Sequence, residues 1–192
     1  MKKKYRILSF AIVGVILLAL LSTVILKDRQ MVRVYMEGKD GKIGENVLID
    51  FKVSAIPDEY QASSFVIEFD NQKLKFKGIQ QGNVATVGEG TEDMRYPEWQ
   101  YDADLANASG TINTMYLDMT AGEQPLSHKG FEEGKQDVLF RMEFQILTTC
   151  ASNEKLDLTI SQGTFASVDE DLSLSLKKKN MKAESYQIKV IE

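Results

Sequence analysis

The sequence predicts an all-β fold, a sandwich of eight or nine strands preceded by one N-terminal transmembrane helix. Three observations predict it: an uncharged run over residues 7–26, apolar residues that recur with a period of two after Met31, and turn residues that punctuate the alternation. The chain has 192 residues, of which 43% are hydrophobic and 27% charged. That is a globular composition, with room for one folded domain and a short appendage.

The first element is the apolar run. Residues 7–26 hold no charge and are broken only by Ser9, Gly14, Ser22 and Thr23. At 1.5 Å per residue such a helix is roughly 30 Å long, the thickness of a bilayer's hydrocarbon core. A cleaved secretory signal is the rival reading, but its apolar part is shorter, about 7 to 15 residues, and it ends in a small-x-small site. The nearest candidate, Leu20-Leu21-Ser22, lacks the first small residue, and no lipobox exists because the one cysteine is Cys150. The expectation is an uncleaved anchor. Lys2, Lys3, Lys4 and Arg6 before the run, against Lys27, Arg29 and Arg33 after it, favour a cytoplasmic N-terminus. Residues 1–29 are then the basic tail and anchor, and 30–192 an extracytoplasmic domain on a single-pass membrane protein. Only residues 27–30 separate the run from the first strand, a reach of roughly 14 Å.

The strands follow in order. Val47, Ile49, Phe51 and Val53 alternate with Leu48, Asp50, Lys52 and Ser54, Phe65, Ile67 and Phe69 with Val66, Glu68 and Asp70, and Leu74 and Phe76 with Lys73, Lys75 and Lys77. Downstream come Val138, Phe140, Met142, Phe144 and Ile146, then Leu156, Leu158 and Ile160, then Leu172, Leu174 and Leu176, and finally Tyr186, Ile188 and Val190. Turn signals separate them at Gly38-Lys39-Asp40-Gly41, Asp70-Asn71, Gly82-Asn83, Ser109-Gly110 and Ser152-Asn153. Short strands without intervening helices predict two antiparallel sheets packed face to face.

Charge and rare residues narrow the function. Residues 1–29 carry six basic side chains against Asp28, a net of +5, so the remainder is −10 within the chain's −5. An acidic body repels phosphates and argues against a nucleic-acid partner. One histidine and one cysteine cannot supply a zinc site or a paired nucleophile, so no enzyme, catalytic residue, metal or cofactor is expected. Cys150 reads as a small hydrophobe at a strand end. His128 reads as a loop side chain, and the carboxylate pairs Glu132 with Glu133 and Glu68 with Asp70 as chance neighbours rather than a glycosidase pair. Asp102 with Asp104, and Asp169, Glu170 and Asp171, have oxygen ligands but no calcium-loop spacing. The basic group Lys177, Lys178, Lys179 and Lys182 reads as a solvated turn.

Two insertions break the rhythm, residues 83–110 and 120–136. The first carries Tyr96, Trp99 and Tyr101, whose rings could stack on the apolar faces of a polysaccharide, provided Trp99 is exposed.

The order of these segments resembles a cohesin module over residues 31–192. Gly41-Lys42-Ile43-Gly44-Glu45 is similar to the turn that opens a cohesin's second long strand, and Ser64-Phe65-Val66-Ile67-Glu68-Phe69-Asp70 to the strand ending in an aromatic and Asp. Residues 74–78 resemble the strand that follows. Asp137-Val138-Leu139-Phe140-Arg141-Met142-Glu143-Phe144, then Leu156-Asp157-Leu158-Thr159-Ile160 and Gly163-Thr164-Phe165-Ala166, match later strands. The resemblance implies a jelly-roll-like sandwich that catalyses nothing and binds a dockerin-type or other surface protein, as in polysaccharide degradation or surface assembly at the cell surface. The superfamily also implies carbohydrate binding as an alternative, and a structural envelope protein is a further one. The residues implied at the partner are Ala62, Ser64, Val66 and Glu68, with Tyr116 on the same outward face. Where many cohesins carry Asn-x-Asp, this chain has Ala62 and Ser64.

Overall fold

The computed structural model describes residues 31–87, 94–120, 122–131 and 137–192. The apolar run of residues 7–26 lies outside them; among the described residues no helix is long and apolar enough to cross a membrane. Val32–Glu192 forms one compact unit.

Eight strands of six residues or more carry the fold: β1 (Val32–Gly38), β3 (Asn46–Val53), β4 (Ala62–Phe69), β5 (Leu74–Gln81), β8 (Thr111–Leu117), β9 (Val138–Ile146), β10 (Lys155–Ala166) and β13 (Tyr186–Ile191). Five short ones join them: β2 (Gly41–Lys42), β6 (Thr86–Val87), β7 (Met94–Arg95), β11 (Leu174–Ser175) and β12 (Met181–Ala183). One sheet has the order β12-β1-β3-β9-β5, the other β2-β13-β10-β4-β8 with β11 on β10, and β6 and β7 make a separate ribbon. The sandwich expected from the period-two pattern is therefore present. From β3 to β10 successive long strands pass from one sheet to the other, so most neighbours among them are distant in sequence.

The structure departs from the sequence reading in three places. The sheets are not antiparallel throughout, because the edge strands β12 and β2 pair parallel with β1 and β13. The run Leu172, Leu174, Leu176 is not one strand: Glu170–Leu172 is a 3-10 turn and only Leu174–Ser175 pairs. A two-turn helix, α1 (Ala103–Ser109), occupies part of the first insertion. Its sole buried residue is Ala106, so it shows no apolar period, but its ends are encoded. The Asp102 carboxylate accepts from Leu105 N at 2.9 Å, and Gly110 takes the left-handed conformation (φ 71°) that closes the helix.

The core lies between the inner faces. Phe51 and Phe140 stack at 4.5 Å, Phe65 meets Phe51 at 4.5 Å and Phe165 at 5.4 Å, and Phe144 packs on Phe69 and Phe76. Each buried ring contributes on the order of 1.5–3 kcal/mol relative to exposure. These aromatics come from both sheets, and they fix β4 between β10 and the edge strand β8 with its other side facing out. Cys150 is buried and free, its thiol pushed up first by burial and then by Glu154.

Candidate protein-binding face

Inward Phe65, Ile67 and Phe69 turn Ala62, Ser64, Val66 and Glu68 to the outer side of β4. The register with the flanking strands arranges four rows across the sheet. Ala62 lies between Ala166 and Leu117, Ser64 between Thr164 and Met115, Val66 between Gln162 and Asn113, and Glu68 opposite Thr159 and Thr111. A bulge between Ile160 and Gln162 keeps the last row in register.

The rows grade from apolar to polar. Met115 and Leu117 are about half exposed, at 51% and 50%. Beside them Ala62, Ser64 and Ala166 are too short to fill the surface, which leaves a depression of about 160 Å³. A second groove of about 550 Å³ runs past Met115, Leu117 and Met119 to Tyr96 and Pro97. Ser64 in this depression, and Glu68, Asn113 and Gln162 towards the other end, make no side-chain hydrogen bond to another group among the described residues.

The opposite outer face is paired with itself at its charged centre, though half-exposed Leu48 and Lys75 stand outside that pairing. Arg141 Nε donates to Asp50 at 3.0 Å, and the nearly buried Lys52 ammonium meets Glu37 at 2.5 Å over the Tyr35 ring. Glu143 accepts from Asn46 at 2.7 Å and from Gln80 at 3.1 Å. Polar groups that already hold partners gain little from a second one. The β10-β4-β8 face therefore keeps more of its polar side chains unpaired.

Tyr116 is not on that face. It pairs with Ser63, both point inward, and Tyr116 is 7% exposed. Its hydroxyl donates to the Gln124 carbonyl at 2.6 Å, and burial, with Asp118 nearby, pushes its pKa to about 12. Asp118 organises the following loop by accepting from Thr120 N and Oγ1, Gly122 N and Gln124 N. Burial alone would raise its carboxyl, but these bonds outweigh burial and hold it below the ordinary value. The outward residues of β8 are Thr111, Asn113, Met115 and Leu117, and the sequence reading missed the last two.

The aromatic platform does not form either. Main-chain bonds between Gln100 and Met115 lay residues 99–101 along the β8 edge, and this turns Trp99 into the core. Trp99 is 6% exposed and packs on Phe140 at 4.6 Å, Phe65 at 6.0 Å and Tyr116 at 6.1 Å. Tyr101 packs edge-on against Phe76 at 5.7 Å, and Tyr96 is exposed apart from both. With Trp99 buried, the three rings cannot stack along one glycan.

The acidic clusters have structural duties: Asp102 caps α1, and Asp169 accepts from Asp171 N. Asp70 accepts from Gln72 N in the turn before β5. Among the described residues no group of three or more His, Cys, Asp or Glu could hold a metal ion. Glu132, Glu133 and the His128 side chain lie outside what the structure describes.

Comparison with known proteins follows the same geometry. The family model described as Cohesin domain matches residues 32–182. The third cohesin of ScaC in complex with the ScaB dockerin, from Acetivibrio cellulolyticus, is 18% identical. The match covers 84% of this chain and 100% of that one, at a TM-score of 0.62. The OlpC cohesin in complex with a dockerin, from Clostridium thermocellum, is 14% identical over 84% and 94% of the two chains, at 0.60. The cohesin module of a Clostridium perfringens family 33 glycoside hydrolase is 9% identical over 85% and 98%, at 0.59. At such identities the likeness is one of fold. No curated protein matches the chain.

Proposed function

We propose, from the premise that this chain belongs to the cohesin domain family, that its outward β10-β4-β8 face captures a dockerin-type protein and holds it at the cell surface. A cohesin domain is a non-catalytic binding module. One observation carries the choice of face. The β10-β4-β8 face presents half-exposed Met115 and Leu117 beside unpartnered Ser64, Glu68 and Asn113, whereas at the centre of the opposite face Lys52 and Arg141 are held in ion pairs with Glu37 and Asp50.

The chemistry of the rows sets the partner's character. Ala62 and Ser64 supply little hydrogen bonding, so apolar contact with Met115 and Leu117 takes a larger share, and thioethers adapt readily to such a partner. A partner helix that places apolar side chains over the depression and polar ones over Glu68 and Asn113 fits the gradient. We further read residues 7–26 as the anchor that tethers the domain outside the cytoplasmic membrane.

The test is binding of residues 30–192 to calcium-loaded dockerins of the producing organism, with and without chelator. Loss of binding on chelation, and in Met115→Asp, is the expected result. Binding that survives Met115→Asp and Leu117→Asp unchanged removes this face from the function.

A further inference from the structure

We propose that the end of the sandwich where the chain enters docks on the bilayer, with Met119 and Val168 seated in its interfacial layer. The proposal rests on the reading of residues 7–26 as a membrane span.

Met119 and Val168 are the most exposed large hydrophobic side chains among the described residues, at 83% and 88%. They stand on different loops, yet one residue joins them. The Gln61 carbonyl accepts from Asp118 N at 2.7 Å, and the Gln61 side-chain oxygen accepts from Val168 N at 2.9 Å. Both loops are braced from behind: the Asp118 carboxylate accepts from Thr120, Gly122 and Gln124, and Ser173 Oγ accepts from Ser167 N at 3.0 Å. Two apolar tips are thus held outward side by side, where water gives them nothing.

Their place in the fold supplies the occupant. Val32 pairs with Met181 at the same end, after the loop that carries Val168. Residues 27–30 extend at most roughly 14 Å, so an anchored chain holds this end against the headgroups. Apolar side chains at such a distance enter the boundary between headgroups and acyl chains, about 5–10 Å deep. The charges nearby do not decide it. Asp169, Glu170 and Asp171 stand beside Lys177, Lys178 and Lys179, and Lys178 Nζ donates to the Glu170 carbonyl at 3.0 Å. Both signs are present, so the contact is carried by apolar insertion and not by attraction to anionic lipid.

The experiment uses the full chain reconstituted in vesicles of phosphatidylcholine, alone or mixed with phosphatidylglycerol. Met119→Cys, Val168→Cys and, at the far end, the exposed Ile43→Cys are each labelled with an environment-sensitive nitrobenzoxadiazole dye. The unsubstituted chain is the blank, because Cys150 is buried. The expected result is a blue shift at 119 and 168 but not at 43, in both vesicle types, from chain that resists carbonate extraction. Integral chain whose dyes at 119 and 168 behave like the dye at 43 overturns the docking and leaves the span standing. A shift confined to the anionic vesicles overturns its apolar basis. Chain released by carbonate overturns the span and the docking with it.

Discussion

Asn107 gives Phe76 both hydrogen bonds that a neighbouring strand would give: its Oδ1 accepts from Phe76 N and its Nδ2 donates to Phe76 O, each at 2.8 Å. One helical side chain thereby closes the open edge of the five-stranded sheet. Asn107→Ala leaves that N–H and C=O unpaired in a part-buried place, at a cost of about 1–3 kcal/mol. Urea unfolding measures it. Asn107→Asp keeps the acceptor alone and should fall between the two. Because an open strand edge pairs with other chains, Asn107→Ala should also self-associate in light scattering at concentrations where the parent is monodisperse.

Met115 and Leu117 separate binding from stability. Met115→Asp and Leu117→Asp alter exposed side chains, so stability should change by no more than about 0.5 kcal/mol. Partner affinity should fall by tenfold or more, as at a contact worth about 2 kcal/mol. Tyr116→Phe should behave in reverse: loss of its bond to Gln124 costs about 1 kcal/mol of folding stability while affinity stays within a few-fold. Calorimetric titration and thermal melts read the two effects. Equal affinity losses in all three variants would contradict the placement of Tyr116.

Trp99 is the chain's one tryptophan, so its fluorescence reports on the core without ambiguity. Its emission should be blue-shifted, resist iodide quenching, and move to the red on unfolding. Trp99→Ala should cost about 3–5 kcal/mol through the cavity it opens among Phe65, Phe140 and Tyr116. Strong iodide quenching in the folded protein would refute the burial and reopen the glycan platform.

The domain should lose stability at both ends of the pH range. In acid, the unfolded chain binds a proton at Asp118 near 3.8 while the fold, holding that carboxyl lower, does not. Stability therefore falls as pH drops below that value, and Asp118→Asn should flatten this limb. In alkali, Tyr60 and Tyr116 keep their protons to about 12, whereas the unfolded phenols release them near 10.0. Stability should fall as pH rises from about 10 to about 12, and Tyr116→Phe should remove part of the slope. Urea midpoints across pH check both limbs.

The central strands were legible in sequence because hydrophobicity and direction agree there: in β4 every inward residue but Ser63 is apolar. In β8 they disagree. Thr114 faces the core while Met115 and Leu117 face out, so hydrophobicity gives no parity, and only pairing with β4 sets it. The aromatic Tyr116 therefore drew attention to the wrong side. Trp99 was unreadable for a related reason, since a single bridge between Gln100 and Met115 determines its direction. The two- and three-residue strands β2, β11 and β12 are too short to show any period. Helix α1 was readable after all, from Asp102 and Gly110 at its ends and not from its middle.

The parallel pairing of Val32 with Met181, and the five-residue antiparallel register of β1 on β3, have a mechanical meaning. A pull on the chain through residue 31 runs along β1, across the perpendicular hydrogen bonds of its antiparallel pairing with β3 and the slanted ones of its parallel pairing with β12. Such bonds are sheared together instead of peeled one by one. If residues 7–26 tether the domain, tension meets it in its resistant direction, and a captured load should come away from the β10-β4-β8 face before β1 leaves its sheet.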